Sequence, residues 1–255
     1  MYLKTQSSPL ITRLAASEAD LRAVQHLRYR VFVAEGGAEG PGVDHAAELE
    51  TDAFDAYSDH LLLIDPTRTD GGQVVGTYRL MTATQARAAG GFYSAAEYDL
   101  GPLLAQAGQV LELGRSCLDP QYRGGTALLH LWQGIGRHVA ARGIDTLFGV
   151  ASFPGTDPAA HAQPLSLLHH QHLAPAAIRP TAVGAAAVAL DLLPQGETDT
   201  RAAMLAMPTL IKSYLRLGGT VGAGAYVDDQ FNTVDVCMIL QTAAMSARQR
   251  ALYGG

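Results

Sequence analysis

Glu112 and Arg115 stand three residues apart in VLELGRSCL, an otherwise apolar run, and Arg123-Gly124-Gly125 follows shortly after. A carboxylate in such a run can take a proton, and a guanidinium can hold an anion or a developing oxyanion. A glycine turn that feeds a helix points free backbone N–H groups at a phosphate-like anion, helped by the helix dipole. Arg123 would add charge-assisted hydrogen bonds there. The plain alternative for Gly124-Gly125 is a turn with no ligand. Regular alternation along a strand would send Glu112 and Arg115 to opposite faces. A β-bulge between them, at Gly114, would return both to one side and free backbone N–H groups near Leu113.

Further charges sit where apolar residues are expected. In SEADLRAVQHLRYRVFVAE, residues Leu21, Val24, Leu27, Val31 and Phe32 make one helical stripe, and Arg28 falls inside it. A guanidinium on a buried face needs a carboxylate or an anionic ligand, since desolvating it alone costs several kcal/mol. Arg28 is therefore either one half of a structural ion pair or a site residue with Phe32 one turn later. Arg79 lies in mid-strand in VVGTYRLM, on the face of Val75, Thr77 and Met81. The run DHAAELETDAFDAYSDH carries Asp44, Glu48, Glu50, Asp52, Asp55 and Asp59 without a lysine or arginine. Such a run is usually a solvated loop. Here Phe54 and Tyr57 would anchor it to the body, and an anchored acidic loop suits a ligand with ammonium groups. Three buried-looking arginines and a buried-looking glutamate on separate elements point to one shared polar site. Ser152 and Phe153, in the turn-rich ASFPGTDP, are candidates to line it.

The elements that must position these residues follow from periodicity. A short strand over 10–15 precedes an amphipathic helix over 17–35, capped by Ser17. Strands are expected at 60–65, 73–83, 109–118 and 144–153, with a long helix over about 125–142 ended by Gly143. A short helix over 164–174, a strand in AVGAAAVALDLL, a helix over about 200–217 and two strands in GTVGAGAYV and TVDVCMIL complete the chain. Strands adjacent in sequence precede the long helix, which favours an α+β fold with a mostly antiparallel sheet flanked by helices. No linker or repeat divides the chain, so 1–255 reads as a single domain. Its core spans about 8–193 and an αββ extension covers about 194–255.

Composition narrows the class. The 255 residues are 48% hydrophobic and 16% charged, with a net charge of −6, which indicates a globular chain and excludes a broad nucleic-acid surface. Two cysteines, Cys117 and Cys237, form no disulfide framework and no zinc site. They are expected to pack as small apolar residues in a reducing cytosol. His169, His170 and His172 are poorly spaced for a metal and have no acidic or cysteine ligand near in sequence. MYLKTQSSPLITRL lacks a signal-peptide core, and no stretch of about 18 apolar residues exists to span a membrane. Trp132 is expected in the core.

Taken together, LRYRVFVAE, TDAFDAYSDHLLLID, VVGTYRLM, LELGRSCLDPQYRGG, ASFPGTDP and SLLHHQHLAP resemble the ornithine N-acyltransferases of ornithine-lipid synthesis. The tail MPTLIKSYLRLGGTVGAGAYVDDQFNTVDVCMIL is similar to theirs as well. The resemblance implies a GNAT-like fold, distantly similar to acyl-homoserine-lactone synthases. It implies transfer of a 3-hydroxyacyl group from acyl carrier protein to the α-amino group of L-ornithine, with no permanently bound cofactor. It carries catalytic roles to Glu112, Arg115, Arg28 and Arg79. It carries substrate-binding roles to Phe32, Asp52 and Asp55, and the residues themselves add Asp44, Tyr57, Ser152 and Phe153 as candidates on that side. Arg123, Gly124, Gly125, Leu113 and Arg137 would meet the acyl donor. The general base would be Glu112, directly or through water, with Asp52 or Asp55 as alternatives. A cytoplasmic protein, in peripheral contact with the inner membrane face, is the expected setting. Three readings stand beside this one: glutamine as acceptor, an acyl-CoA donor, and a silent acyl- or amino-acid-binding relative.

Overall fold

A computed structural model describes residues 10–246 and Gln249. The N-terminal stretch through Pro9, with most of the signal-peptide reading, and the end of the proposed extension lie outside the described residues. The first strand, β1 (Ile11–Leu14), leads into helix α1 (Glu18–Arg28), where Ser17 accepts the N–H of Asp20. The helix then widens into a π-helical segment, Tyr29–Glu35. Next come β2 (Asp59–Ile64) and β3 (Val74–Thr82), then β4 (Val110–Leu118), helix α2 (Ala127–Arg142) and β5 (Thr146–Pro154). Gly143, at φ 62°, closes α2 as expected.

The C-terminal part holds helix α3 (Ala162–His172), the short strand β6 (Ala187–Val188), helices α4 (Thr200–Ala206) and α5 (Thr209–Arg216), and strands β7 (Ala225–Asp228) and β8 (Thr233–Gln241). The single helix expected over 200–217 is two, because Pro208 has no N–H to continue the first. The strand expected in AVGAAAVALDLL reduces to Ala187–Val188. Its alanines and glycine give little side chain to pack on a sheet.

The main sheet runs β1-β2-β3-β4-β5-β8-β7-β6, with Thr220–Val221 also paired to β8. Every neighbouring pair is antiparallel except β4 with β5. The last segment is thus no appendage: β8 pairs with β5 along its whole length, from Thr233 opposite Pro154 to Gln241 opposite Thr146. One face of the sheet packs Tyr78, Leu80, Leu111 and Leu113 on Leu131, Trp132 and Ile135 of α2. The other packs Leu62 and Cys117 on Val24 and Leu27 of α1. The chain is α+β, with helices on both faces of a mixed, mostly antiparallel sheet.

Two irregularities prepare the site. Between β3 and β4 the register passes from Thr77–Cys117 to Arg79–Gly114, so Arg115 and Ser116 together oppose Tyr78. This is the expected bulge, seated one residue later than Gly114. Arg115 itself takes the left-handed conformation, at φ 49°. Second, β4 and β5 pair only through Val110–Glu112 and Thr146–Phe148, although the strands continue to Leu118 and Pro154. Beyond that point they part. Gly149 sits where they diverge, at φ +154°, and a Cβ there would lie 2.0 Å from the carbonyl oxygen of Leu113.

Candidate active site

The three arginines do come together, and three acids of the loop come with them. Arg28, fully buried, donates to Glu50 through Nε and to Asp55 through Nη1, the latter at 2.7 Å. Arg79 pairs with Asp52 and lies 3.8 Å from Asp55. Arg115 reaches Asp52 at 2.8 Å and Glu50 at 3.4 Å. Burial works against the charge on Arg28, but Glu50 and Asp55 outweigh it, leaving its pKa above the ordinary value. For Arg115, too, burial is overcome, by Tyr93, Glu50 and Asp52. Arg79 is held below its ordinary value by burial and then by Arg115. Asp55 resists its own desolvation through Arg28 and ends below the usual carboxylate range. Three cations on three anions leave little net charge, the condition under which such burial is tolerated.

Aromatic rings finish the cluster. The Tyr93 ring lies 4.5 Å from the Arg115 guanidinium and 5.2 Å from that of Arg79. Phe54 covers Arg79 at 5.3 Å, and Phe231 covers Arg115 at 4.5 Å. Phe32 meets Phe231 edge-on at 5.9 Å. It is placed there by the π-helical widening, a device frequent at functional sites.

Glu112 is held by groups other than the arginines. No arginine lies within ion-pair distance of it among the described residues. Its Oε1 accepts from the N–H and hydroxyl of Ser94 at 2.7 and 2.6 Å, and its Oε2 from the N–H of Tyr93 at 3.0 Å. The carboxylate thus caps the turn Tyr93–Ala96 and sets the Tyr93 ring against the arginines. The acids that pair with Arg28 and Arg115 are Glu50, Asp52 and Asp55.

Where β4 and β5 part, a cavity of about 670 Å³ opens, lined by Arg115 and Ser116 on one side and Val150, Ala151 and Ser152 on the other. A second cavity, about 520 Å³, continues beside Arg123, Gly124 and Gly125 at the start of α2. No side chain caps that helix and its first turn holds no acid, so its first N–H groups have no side-chain acceptor. Gly124 makes the turn at φ +76°. Arg123 lies over both cavities and grips Glu35, its Nη2 donating to Oε2 at 2.7 Å.

Other expected residues fall elsewhere. Asp44 is exposed and binds the N–H groups of Ala46 and Ala47 at 3.0 and 2.9 Å, closing its own turn. Tyr57 is an exposed loop residue, and Phe54 alone of that pair reaches the site. Phe153 is fully buried in the core under the sheet, because its parity is opposite to that of Ser152. Arg137 binds the Thr12 hydroxyl at the β1 edge of the sheet. It lies roughly 15 Å along α2 from the helix start, so it shares no patch with Arg123. Leu113 has a core side chain and meets the fork through its backbone only. Asp52 and Asp55 pair with arginines of the cluster. Cys117 and Cys237 are both buried, and burial pushes the Cys117 thiol up to about 12. Of the histidines, His170 spends Nε2 on the Leu193 carbonyl at 2.8 Å.

Sequence reading passed over Tyr93, Ser94, Phe231 and three acids, Glu97, Asp228 and Asp235. Asp235 alone left a signal, as a charge in the apolar run TVDVCMIL.

The acetyltransferase (GNAT) domain family matches residues 27–133. The fold is like that of the AHL synthase LasI, with a TM-score of 0.54 and 18% identity over 97% of this chain and 96% of that one. It is equally like that of FeeM, an N-acyl amino acid synthase from uncultured soil microbes, with a TM-score of 0.54 and 10% identity over 95% of this chain and 98% of the other. Sequence relatives are much nearer. An L-ornithine N(alpha)-acyltransferase of Rhodobacter capsulatus is 52% identical over 94% of this chain and 93% of its own length. Another, of Agrobacterium fabrum, is 42% identical over 96% of this chain and 85% of its own. With a buried arginine network beside a forked sheet and this degree of identity across nearly its whole described length, the chain belongs to the L-ornithine N(alpha)-acyltransferase family and is an N-acyltransferase.

Proposed function

We propose that the chain transfers a 3-hydroxyacyl group from acyl carrier protein to the α-amino group of L-ornithine, giving lyso-ornithine lipid. The observation that carries the reading is the fork between β4 and β5, continuous with the uncapped start of α2. A phosphate-bearing arm fits the glycine turn with Arg123, as anions fit helix N-termini generally. Its thioester would then lie in the fork, against strand backbone with no ladder partner, where N–H groups can receive the oxyanion. Arg115, turned into the fork by the bulge, suits the acceptor carboxylate.

The reaction is direct. The free amine attacks the thioester carbon, the C–S bond breaks, and the thiolate leaves to take a proton from solvent. Holding both reactants in one cleft supplies much of the acceleration. The ammonium proton passes to water in the cleft. Glu112, with three donors already on it, positions Tyr93 and the arginines. A route through a cysteine thioester has little support, since burial pushes the Cys117 thiol up to about 12 and so disfavours the thiolate.

Purified protein with 3-hydroxyacyl carrier protein should release carrier thiol and form an amide only when ornithine is added. Release with glutamine and none with ornithine would overturn the acceptor assignment. Turnover with acyl-CoA and none with acyl carrier protein would overturn the donor.

A further inference from the structure

The acidic loop is occupied by arginines, yet the structure holds a second acidic group that is not. Glu97 follows the turn capped by Glu112, Asp228 ends β7, and Asp235 lies on β8 opposite Ser152. One carboxylate oxygen from each falls within 4.8 Å of the others. Glu97 and Asp235 are each only 3% exposed. None of the three has an ion-pair partner among the described residues, and Arg115, the nearby cation, pairs with Glu50 and Asp52 rather than with any of them. Glu97 Oε2 and Asp235 Oδ1 are buried without any hydrogen-bond partner. Native proteins rarely leave such atoms orphaned, and Asp235 borders a cavity from which a partner could come.

The cavity is the one in the fork, and Asp228 and Asp235 form its wall on the side of β8. Burial, followed by repulsion from Asp235 and Asp228, holds Glu97 above the ordinary carboxylate range. Burial likewise raises Asp235, against the help of Ser152 and Thr233. A cation placed among them would relieve both effects. Its shape is constrained: three acceptors around one point match the three N–H donors of a primary ammonium. Its place is also constrained, on the β7 and β8 side of the cavity that Arg115 lines from β4, where the guanidinium can meet the carboxylate end of the same molecule.

Resting on the reading of the fork as the acceptor site, we propose that Glu97, Asp228 and Asp235 form a subsite for the side-chain ammonium of a dibasic amino acid acceptor. They would make the enzyme select ornithine over acceptors of the same length without that charge. The subsite would leave the α-amine free to attack, because the two ends of the acceptor are held apart.

The test compares ornithine with norvaline, which has the same carbon chain and no δ-ammonium. In the wild type, kcat/KM should favour ornithine by roughly a hundredfold or more, since unpaired buried acids reject the shorter donor set. Asp235→Asn and Glu97→Gln should cut that preference by roughly tenfold or more, mainly through KM for ornithine, and leave norvaline turnover near wild type. Asp228→Asn keeps the Oδ1 acceptor that holds the N–H groups of Gln230 and Phe231, at 2.8 and 3.0 Å, and serves if the buried variants do not fold. Ornithine should also raise the melting temperature of the wild type and not that of Asp235→Asn. If ornithine is acylated with unchanged preference in the variants, the subsite falls and the acyl-transfer reading stands. If no amino acid is acylated but ornithine stabilises the wild type alone, the subsite stands and the reading falls. Stabilisation by calcium or magnesium, absent in Asp235→Asn and not matched by ornithine, would make the trio a metal site and overturn the proposal.

Discussion

Arg28 sits on the apolar stripe of its helix and has no contact with solvent. Glu50 and Asp55 take the place of water around it. Arg28→Met would leave those two carboxylates facing a methyl group, and breaking a buried pair in this way costs about 3–5 kcal/mol. Thermal melting should register the loss, and a melting temperature close to wild type would show the network to be dispensable to the fold. Glu112→Gln makes a different prediction. An amide keeps one acceptor for Ser94 but turns a second donor toward the N–H of Tyr93, so the turn loosens and the Tyr93 ring loses its seat. We expect kcat to fall roughly tenfold or more while the acidic limb of the pH–rate profile persists. Disappearance of that limb would make Glu112 the base after all. The three arginines were legible because a charge inside an apolar period is conspicuous. Their partners were not, because acids in a loop carry no periodicity to say which of them turn inward. Asp44 and Asp52 are alike in sequence, and only the packing of Phe54 under Arg79 separates them.

At the scale of elements, alternation and caps located β2, β3, β4 and α2 to within a residue or three, and the start of α1 to within one, while the end of α1 is a π-helical segment. The bulge was inferable from the three-residue spacing of Glu112 and Arg115, although its seat was displaced toward Arg115. The parting of β4 and β5 was not inferable, because pairing is a property of two strands and neither one encodes where the other stops. Gly149 is its local mark. Gly149→Ala would place a Cβ on the Leu113 carbonyl in a backbone region closed to other residues, and we expect a loss of at least about 1–3 kcal/mol. Wild-type melting and turnover in that variant would show that the fork does not depend on the close approach. The break at Pro208 and the insertion of β8 into the sheet beside β5 were likewise matters of tertiary context, which no window of sequence contains.

For the whole molecule, the buried acids give a sign to the effect of pH. Glu97 faces Asp235, Asp228, Glu112 and Arg115, and its folded pKa lies above that of the unfolded chain. A raised carboxylate binds its proton more tightly when folded. Its contribution is therefore complete below the ordinary carboxylate pKa, near 4.3, and is lost as pH climbs toward the raised value. Without ligand, the melting temperature should decline as pH rises from the ordinary carboxylate pKa toward that raised value, and Glu97→Gln should flatten that decline. An unchanged slope would mean another group sets it. Net charge works on association in the same global way. With acyl carrier protein as the proposed donor, an acidic partner would meet a chain of charge −6, so docking would use a local cation, and Arg123 at the cavity mouth is the candidate. Arg123→Glu should raise KM for the carrier and weaken its salt dependence; an unaltered KM at low salt would put the docking surface elsewhere.

The fork also has a mechanical side. The strands from β1 to β4 and those from β5 to β6 by way of β8 form two half-sheets, each laced by antiparallel ladders, and only three residue pairs stitch one half to the other. Amide protons in β2, β3 and β8 should therefore exchange slowly with deuterated solvent. Those of Leu113–Leu118 and Gly149–Pro154 that face across the parting should exchange sooner, by opening of a seam rather than by unfolding. A long acyl chain that fills the parting would act as a third lace, and protection across the seam should then rise with the length of the chain bound.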